Sequence, residues 1–114
     1  MEFNEHKPIY LQTAEMMQEK IMCSIWEEES RIPSVREMGT TLGVNPNTIV
    51  RSYQLLESRN IIYNKRGLGY FVQAGAKERI RETQRREFME QELPLFKERA
   101  TLLGISREEL IALL

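Results

Sequence analysis

The sequence predicts a mainly α-helical chain with one small β-hairpin, arranged as a winged helix-turn-helix and followed by a short helical tail. Two helix starts lie about a dozen residues apart, at Ser34 and Asn45, and the turn Leu42-Gly43 separates them. Two short helices joined in this way are typical of a helix-turn-helix, whose second helix enters a DNA groove. Two apolar runs around a basic, glycine-containing turn follow at residues 61–72 and predict the hairpin that serves as the wing.

Length and composition narrow the class of protein. A chain of 114 residues can form one compact domain with a small appendage. Its apolar fraction (41%) and charged fraction (29%) are those of a soluble protein. We expect no membrane span, since no apolar run approaches roughly 20 residues, and no signal peptide in the acidic segment 1–5. The single cysteine, Cys23, excludes an internal disulfide and indicates a cytoplasmic location, where it is expected to fill a small space in the core.

Charge is distributed unevenly along the chain. The formal net charge is −1, but binding to nucleic acid depends on the local distribution. From Arg36 to Val72 there are five basic residues and two acidic ones, whereas Glu27-Glu28-Glu29 concentrates negative charge elsewhere. This asymmetry is compatible with a DNA-binding surface.

The first two helices are predicted from periodicity and capping. Residues 8–27 form the first helix, with Pro8 in its first turn. Apolar residues at three- and four-residue steps give it one stripe: Tyr10, Ala14, Met17, Ile21 and Ile25. Ser34 begins the second helix in a capping box with Glu37, and Gly43 ends it in the left-handed conformation.

The third helix is the predicted recognition helix. Asn45 caps it, Pro46 takes its first position, and Asn60 ends it in the left-handed conformation. Its buried face consists of Ile49, Tyr53 and Leu56. Three polar side chains near its start are left to point outward: Asn47, Thr48 and Arg51. Asparagine and arginine have the bidentate geometry that reads adenine and guanine edges.

Further candidate DNA contacts flank this helix. Ser34 would bind a phosphate at the start of the second helix, and Arg36 can reach the backbone or a guanine edge. At the wing tip, Lys65, Arg66 and Gly67 predict an approach to a phosphate or to the minor groove. The alternative is that these exposed charges only keep the edge of the hairpin soluble.

The composition changes after the wing. We predict a DNA-binding domain at residues 1–74 and a helical dimerisation tail at residues 75–114. Within the tail, one helix is expected at residues 77–92, a break or kink at Pro94, and two further helices after it. A few short helices cannot bury their own apolar residues, and the tail of a second copy of the protein is the simplest surface that could cover them. A two-fold symmetric dimer would require an inverted-repeat DNA site.

Catalytic and metal-binding patterns are missing from the sequence. It has no aspartate, no Ser/His/Asp set and no phosphate-binding loop, so we expect no enzyme activity and no cofactor. His6 and one distant cysteine cannot supply the three or four ligands of a metal site. Roughly 40 tail residues are too few for an enclosed effector pocket.

Several separated blocks resemble the GntR family of bacterial regulators, and the resemblance covers about residues 7–72. In order they are Lys7-Pro8-Ile9-Tyr10-Leu11-Gln12, Ile32-Pro33-Ser34-Val35-Arg36-Glu37-Met38, Leu42-Gly43-Val44-Asn45-Pro46-Asn47-Thr48, Arg51-Ser52-Tyr53, Leu56-Glu57 and Arg66-Gly67-Leu68-Gly69-Tyr70-Phe71-Val72. The short helical tail and the Asn-Pro-Asn-Thr variant resemble its YtrA-type subfamily. The chain departs from the family at five positions. Many relatives outside the subfamily have arginine where this chain has Pro46 and another where it has Val50, and Arg51, one step along, must substitute. Ser24 and Glu29 stand where glycines are usual, so a different turn is expected there, and Gly39 replaces an alanine, which should loosen the second helix.

The resemblance implies a dimeric repressor of a promoter, often that of transporter genes. Carried over by position, the DNA contacts would be Ser34, Arg36, Asn45, Asn47, Thr48, Arg51, Arg66 and Gly67. The alternative function is a winged-helix module for protein–protein contact, which would not need Arg36, Arg51 and Arg66 together.

Overall fold

The computed structural model describes residues 6–114, so the expectation for segment 1–5 lies outside the described residues. Within the described part of the chain, six α-helices, two strands and one π-helical segment follow one another. They are α1 (Ile9–Met22), α2 (Val35–Leu42), α3 (Pro46–Ser58), β1 (Ile62–Lys65), β2 (Gly69–Val72), α4 (Ala76–Glu87), the π-helical segment (Phe88–Glu92), α5 (Leu93–Leu102) and α6 (Arg107–Leu113). The predicted mainly helical fold with one hairpin is confirmed.

Local hydrogen bonds determine where the two helices of the helix-turn-helix begin and end. The backbone N–H of Glu37 donates to Ser34 Oγ (3.1 Å), and the backbone N–H of Ser34 donates to Glu37 Oε1 (3.3 Å), which completes the predicted capping box. Hydrogen bonds from the Ser34 side chain and backbone to the Glu37 carboxyl hold the pKa of that carboxyl below its ordinary value. Gly43 ends α2 with φ 67°, and Asn45 Oδ1 accepts the N–H of Asn47 (2.8 Å) to begin α3. The two helices therefore begin and end where the sequence predicts.

The second helix approaches the turn closely at Gly39, which is buried. Its carbonyl accepts the N–H of Val44 (2.9 Å), and a Cβ added to Gly39 would lie 2.8 Å from the carbonyl oxygen of Val44. Real Cβ atoms essentially never show so short a contact. A residue with weak helix propensity thus permits close contact between α2 and the turn that leads into α3.

One core joins the helices to the hairpin. Tyr53, Met17, Ile21, Ile49 and Leu56 are among its largest fully buried side chains, and α1 packs on α3. Ala76 and Ile80 of α4 are buried in the same core, although they come after the wing. The structure divides into two compact units, one ending at Arg81 and the other running from Glu82 to Leu114. The functional division at residue 74 stays a prediction.

The wing is an antiparallel hairpin in which Ile62 pairs with Val72 and Lys65 with Gly69. Gly67 (φ 81°) and Gly69 (φ 108°) supply the positive φ angles expected at its tip. A third segment, which the sequence did not predict, pairs with the outer side of β2. In this segment, the N–H of Glu29 donates to the Val72 carbonyl (2.8 Å), and Arg31 forms a bridge with Phe71.

The first helix ends at Met22, five residues before the predicted end at 27. The N–H groups of Ile25 and Trp26 both donate to the Lys20 carbonyl (2.9 and 3.1 Å), so the chain turns instead of continuing the helix. Ile25 is consequently 66% exposed, and its predicted place in the apolar stripe is wrong. Cys23 is exposed in the same turn and does not fill the core.

Ser24 (φ 59°) and Glu29 (φ 65°) adopt the left-handed conformation, although neither is glycine. The turn therefore has a glycine-type backbone at both positions where the resemblance implies glycine. A non-glycine residue in this region is disfavoured by roughly 1–2 kcal/mol.

Replacement of Glu29 by glycine is expected to stabilise the protein. Relief of the left-handed strain exceeds the loss of roughly 0.5–1 kcal/mol from the greater unfolded-state freedom of glycine. Thermal unfolding followed by circular dichroism should show a melting temperature higher by a few degrees. Glu27→Gly is the control, because it removes the same charge from the same acidic run at a residue without positive φ. Equal shifts in both variants would contradict a backbone effect at Glu29.

The tail differs from its prediction at Pro94. Helical conformation does not stop before this proline but continues through the π-helical segment into α5, so the predicted break is wrong, whereas the alternative of a kink stays a prediction. The N–H of Leu93 donates to the Phe88 carbonyl, five residues back. A proline lacks the N–H of a regular helix and its ring clashes with the carbonyl four residues earlier, and the wider π-helical turn accommodates both effects. Gly104 (φ 70°) follows α5, and Ser106 Oγ accepts the N–H of Glu109 (3.1 Å) to start α6 as predicted.

Candidate nucleic-acid interface

The outward face of α3 is polar and exposed. Asn47 and Arg51 lie on it with exposed side chains, whereas Thr48 is half-buried at its margin. Ile49, Tyr53 and Leu56 form the buried face. Val50 lies between Asn47 and Arg51, and Gln54 lies beyond Arg51. Both are exposed, and neither was predicted as a DNA contact. The three- and four-residue steps that connect Asn47, Val50, Arg51 and Gln54 could have identified them.

The start of α2 places two further candidates. Ser34 is half-buried, and its Oγ accepts the N–H of Glu37. A hydroxyl that accepts one hydrogen bond can also donate one, so it suits a phosphate oxygen. Arg36 is exposed on the first turn of α2. Asn45 is exposed as the cap of α3, and since its Oδ1 is already an acceptor, its amide nitrogen is the group that can donate to DNA.

The wing tip is basic and exposed. The N–H of Leu68 donates to the Lys65 carbonyl (2.8 Å), and this turn presents Arg66 and Gly67 at its tip. Lys65 Nζ lies 5.7 Å from the centroid of the Phe71 ring, so the lysine follows the face of the hairpin. Leu68 is 56% exposed at the same tip and was not predicted as a site residue.

Arg31 adds a cation that sequence reasoning missed. It is exposed, and a Cβ built on Gly69 would lie 3.1 Å from its Nε, so its guanidinium runs along the wing. Arg31 lies before the basic stretch that runs from Arg36 to Val72. Only its pairing with Phe71 brings it to the hairpin.

Arg51 is in contact with Tyr10 of α1. Its Cζ lies 3.9 Å from the centroid of the Tyr10 ring, within the range of a cation–π interaction. Tyr10 was predicted only as part of an apolar stripe, and the structure places it half-buried beside the outward face of α3.

The part of the chain at residues 6–114 contains no group of three or more potential metal ligands. No helix in it is long and apolar enough to cross a membrane.

Known proteins are similar to this chain in sequence and in fold. The profile of the family described as "Bacterial regulatory proteins, gntR family" matches residues 9–72. An uncharacterized HTH-type transcriptional regulator of Bacillus subtilis, YhcF, is 34% identical over 112 residues, which cover 96% of this chain and 89% of that protein. The HTH-type transcriptional repressor YtrA of the same organism is 39% identical over 70 residues, or 61% of this chain and 54% of YtrA.

A solved structure extends the similarity through the tail. A crystal structure of a GntR-family transcriptional regulator from Bacteroides thetaiotaomicron superposes with a TM-score of 0.80 at 44% identity, covering 92% of both chains. The resemblance inferred from the sequence blocks is thereby confirmed, including its YtrA-type character. The winged helix is that of a DNA-binding regulator and not of an enzyme. The chain belongs to the GntR family of bacterial transcriptional regulators.

Proposed function

We propose that this protein is a cytoplasmic repressor that binds an inverted-repeat operator as a homodimer. The observation that carries the proposal is the exposed face of α3, where Asn47 and Arg51 point away from the core. Repression is the function in the name of the relative YtrA. It requires only that the bound dimer cover promoter DNA, and no catalytic group takes part.

Base recognition is assigned to α3 in this proposal. Arg51 offers two parallel donors to a guanine edge, and Asn47 offers the donor and acceptor pair that matches adenine. Val50, 37% exposed between them, suits contact with a thymine methyl group. Val50 would thus give α3 a preference for thymine at one base position, which charged side chains alone would not supply.

Phosphate contacts are assigned to the surrounding groups. Ser34 and Arg36 lie at the start of α2, where backbone N–H groups and the helix dipole favour an anion. Lys65 and Arg66 on the wing, with Arg31 beside them, provide a second set of cations. Such contacts fix the orientation of the protein on the duplex but do not depend on base sequence.

Dimerisation is assigned to the tail because its apolar side chains are exposed. They are Phe88, Met89, Leu95, Phe96, Leu102, Leu103, Ile111, Leu113 and Leu114. Large apolar side chains exposed in such number indicate an interaction surface, and a second copy of the same tail would cover it symmetrically. Two recognition helices would then read half-sites about one helical turn apart, or a multiple of that distance.

Arg51→Ala and a wing variant, Lys65→Gln with Arg66→Gln, should weaken DNA binding in different ways. Loss of Arg51 is expected to reduce affinity for the operator by about 1–3 kcal/mol and to relax the preference at one base position. Loss of the two wing charges should reduce affinity for all sequences and lower the slope of log K against log salt concentration by about two units. Fluorescence anisotropy with promoter DNA from the protein's own operon measures both effects.

Arg59→Ala is the matched control, because it removes the same charge at the far end of the same helix. Affinity should change little in this variant. Absence of binding by the unaltered protein to any promoter fragment would favour the alternative, a winged-helix module for protein–protein contact.

A further inference from the structure

The Arg51 side chain is exposed to solvent but lies against an aromatic ring. Its Cζ is 3.9 Å from the centroid of Tyr10, a separation at which the planar guanidinium stacks on the ring. Stacking uses the face of the guanidinium and leaves the N–H donors at its edge available. Those edge donors are the ones that a guanine requires.

Tyr10 is itself held against α3. The hydroxyl of Ser52, which is fully buried, donates to the Tyr10 carbonyl (2.7 Å). Ser52 follows Arg51 in the sequence. This hydrogen bond therefore joins the backbone of α1 to α3 next to the residue whose side chain contacts the Tyr10 ring. The packing of α1 on α3 thus places the Tyr10 backbone beside α3, and from there the ring reaches the Arg51 guanidinium.

We propose that Tyr10 is a positioning residue that orients the Arg51 guanidinium before DNA arrives. This inference rests on the proposed function of Arg51 as a base contact. A long side chain that is mobile in the unbound protein loses conformational entropy when it binds, and prior orientation reduces that loss. A residue of α1, outside the helix-turn-helix, would in this way contribute to recognition without touching DNA.

Operator affinity in variants of Tyr10 tests the proposal. Tyr10→Leu keeps an apolar side chain but removes the ring, and it should weaken operator binding about 3- to 10-fold, the range that corresponds to ordering one long side chain. Tyr10→Phe keeps the ring and should bind within about twofold of the unaltered protein. Binding to non-specific DNA should be unchanged in both, since phosphate contacts supply it.

A double-variant cycle separates positioning from a general effect on folding. If Tyr10 acts through Arg51, Tyr10→Leu should have no further effect on operator affinity in an Arg51→Ala background. The NMR signal of the Arg51 side-chain Nε–H in the unbound protein gives a second measurement. Its ring-current shift should persist in Tyr10→Phe and disappear in Tyr10→Leu.

Three results would overturn the proposal, and they can be distinguished. An equal loss from Tyr10→Leu with and without Arg51 would mean that the ring acts through packing alone. Tighter binding by Tyr10→Leu would mean that the ring withholds Arg51 from DNA. Unchanged operator binding by Arg51→Ala would remove the DNA contact itself, and with it the proposed function of this residue, whatever Tyr10 does.

Discussion

Replacement of Tyr53 by alanine is expected to lower the free energy of unfolding by about 3–5 kcal/mol, a large part of the stability of a domain of this size. The side chain is fully buried, and its ring meets Tyr70 edge to face with centroids 4.8 Å apart. Its hydroxyl donates to the Pro33 carbonyl (2.6 Å), and burial raises the pKa of this phenol above its ordinary value. One side chain thus connects α3 to the segment before α2 and to the wing.

Urea unfolding of three variants would separate these contributions. Tyr53→Phe keeps the ring but leaves the Pro33 carbonyl without its donor, and it should destabilise the protein by about 1–3 kcal/mol. Tyr63→Ala serves as the control, since this half-buried ring is stacked on Phe71 at the surface of the wing. Tyr53 would lose its central role if the two alanine variants were equally stable.

Two charges introduced on the tail are expected to abolish dimerisation. Leu95 (65% exposed) and Phe96 (56% exposed) are neighbours on α5, and a glutamate at both positions would place uncompensated charges in the proposed apolar interface. Sedimentation should show a monomer. Operator affinity should fall by about 10²- to 10⁴-fold, because the two half-sites are no longer bound by linked modules.

Thr101→Glu is the control for this experiment, since it adds a negative charge to the same helix at an exposed position away from the Leu95–Phe96 side. It should leave the dimer intact. Substitution is a cleaner test than truncation after Gly75, which would take Ala76 and Ile80 out of the core of the winged helix. A dimer that survives both glutamates would place the subunit interface elsewhere.

The sequence predicts those parts of the fold that depend on near neighbours. The caps at Ser34 and Asn45 and the turn at Gly43 each involve residues within four positions, and the structure contains all three. The third segment of the wing depends on pairing between Glu29 and Val72, which no local pattern reveals. α1 ends early because the N–H groups of Ile25 and Trp26 both donate to the Lys20 carbonyl. The sequence does not reveal this end, since the apolar Ile25 stands at the next helical step and continues the stripe.

The same distinction holds for the candidate site. Asn47 and Arg51 follow from the period of one helix, and the structure places both on its outward face. Arg31 and Tyr10 come into the site only through strand pairing and helix packing. Their contribution to the surface depends on tertiary contacts, so no motif in the sequence could have identified it.

The close contact at Gly39 limits how DNA specificity can be transferred between relatives. An alanine there, as the resemblance implies for other members, would place its Cβ against the carbonyl oxygen of Val44 and force the turn before α3 to shift. Exchange of α3 alone would therefore combine a foreign recognition helix with a turn shaped for glycine. The region from the start of α2 through the end of α3 should instead be exchanged as one block, so that engineered chimeras of this family are cut before α2.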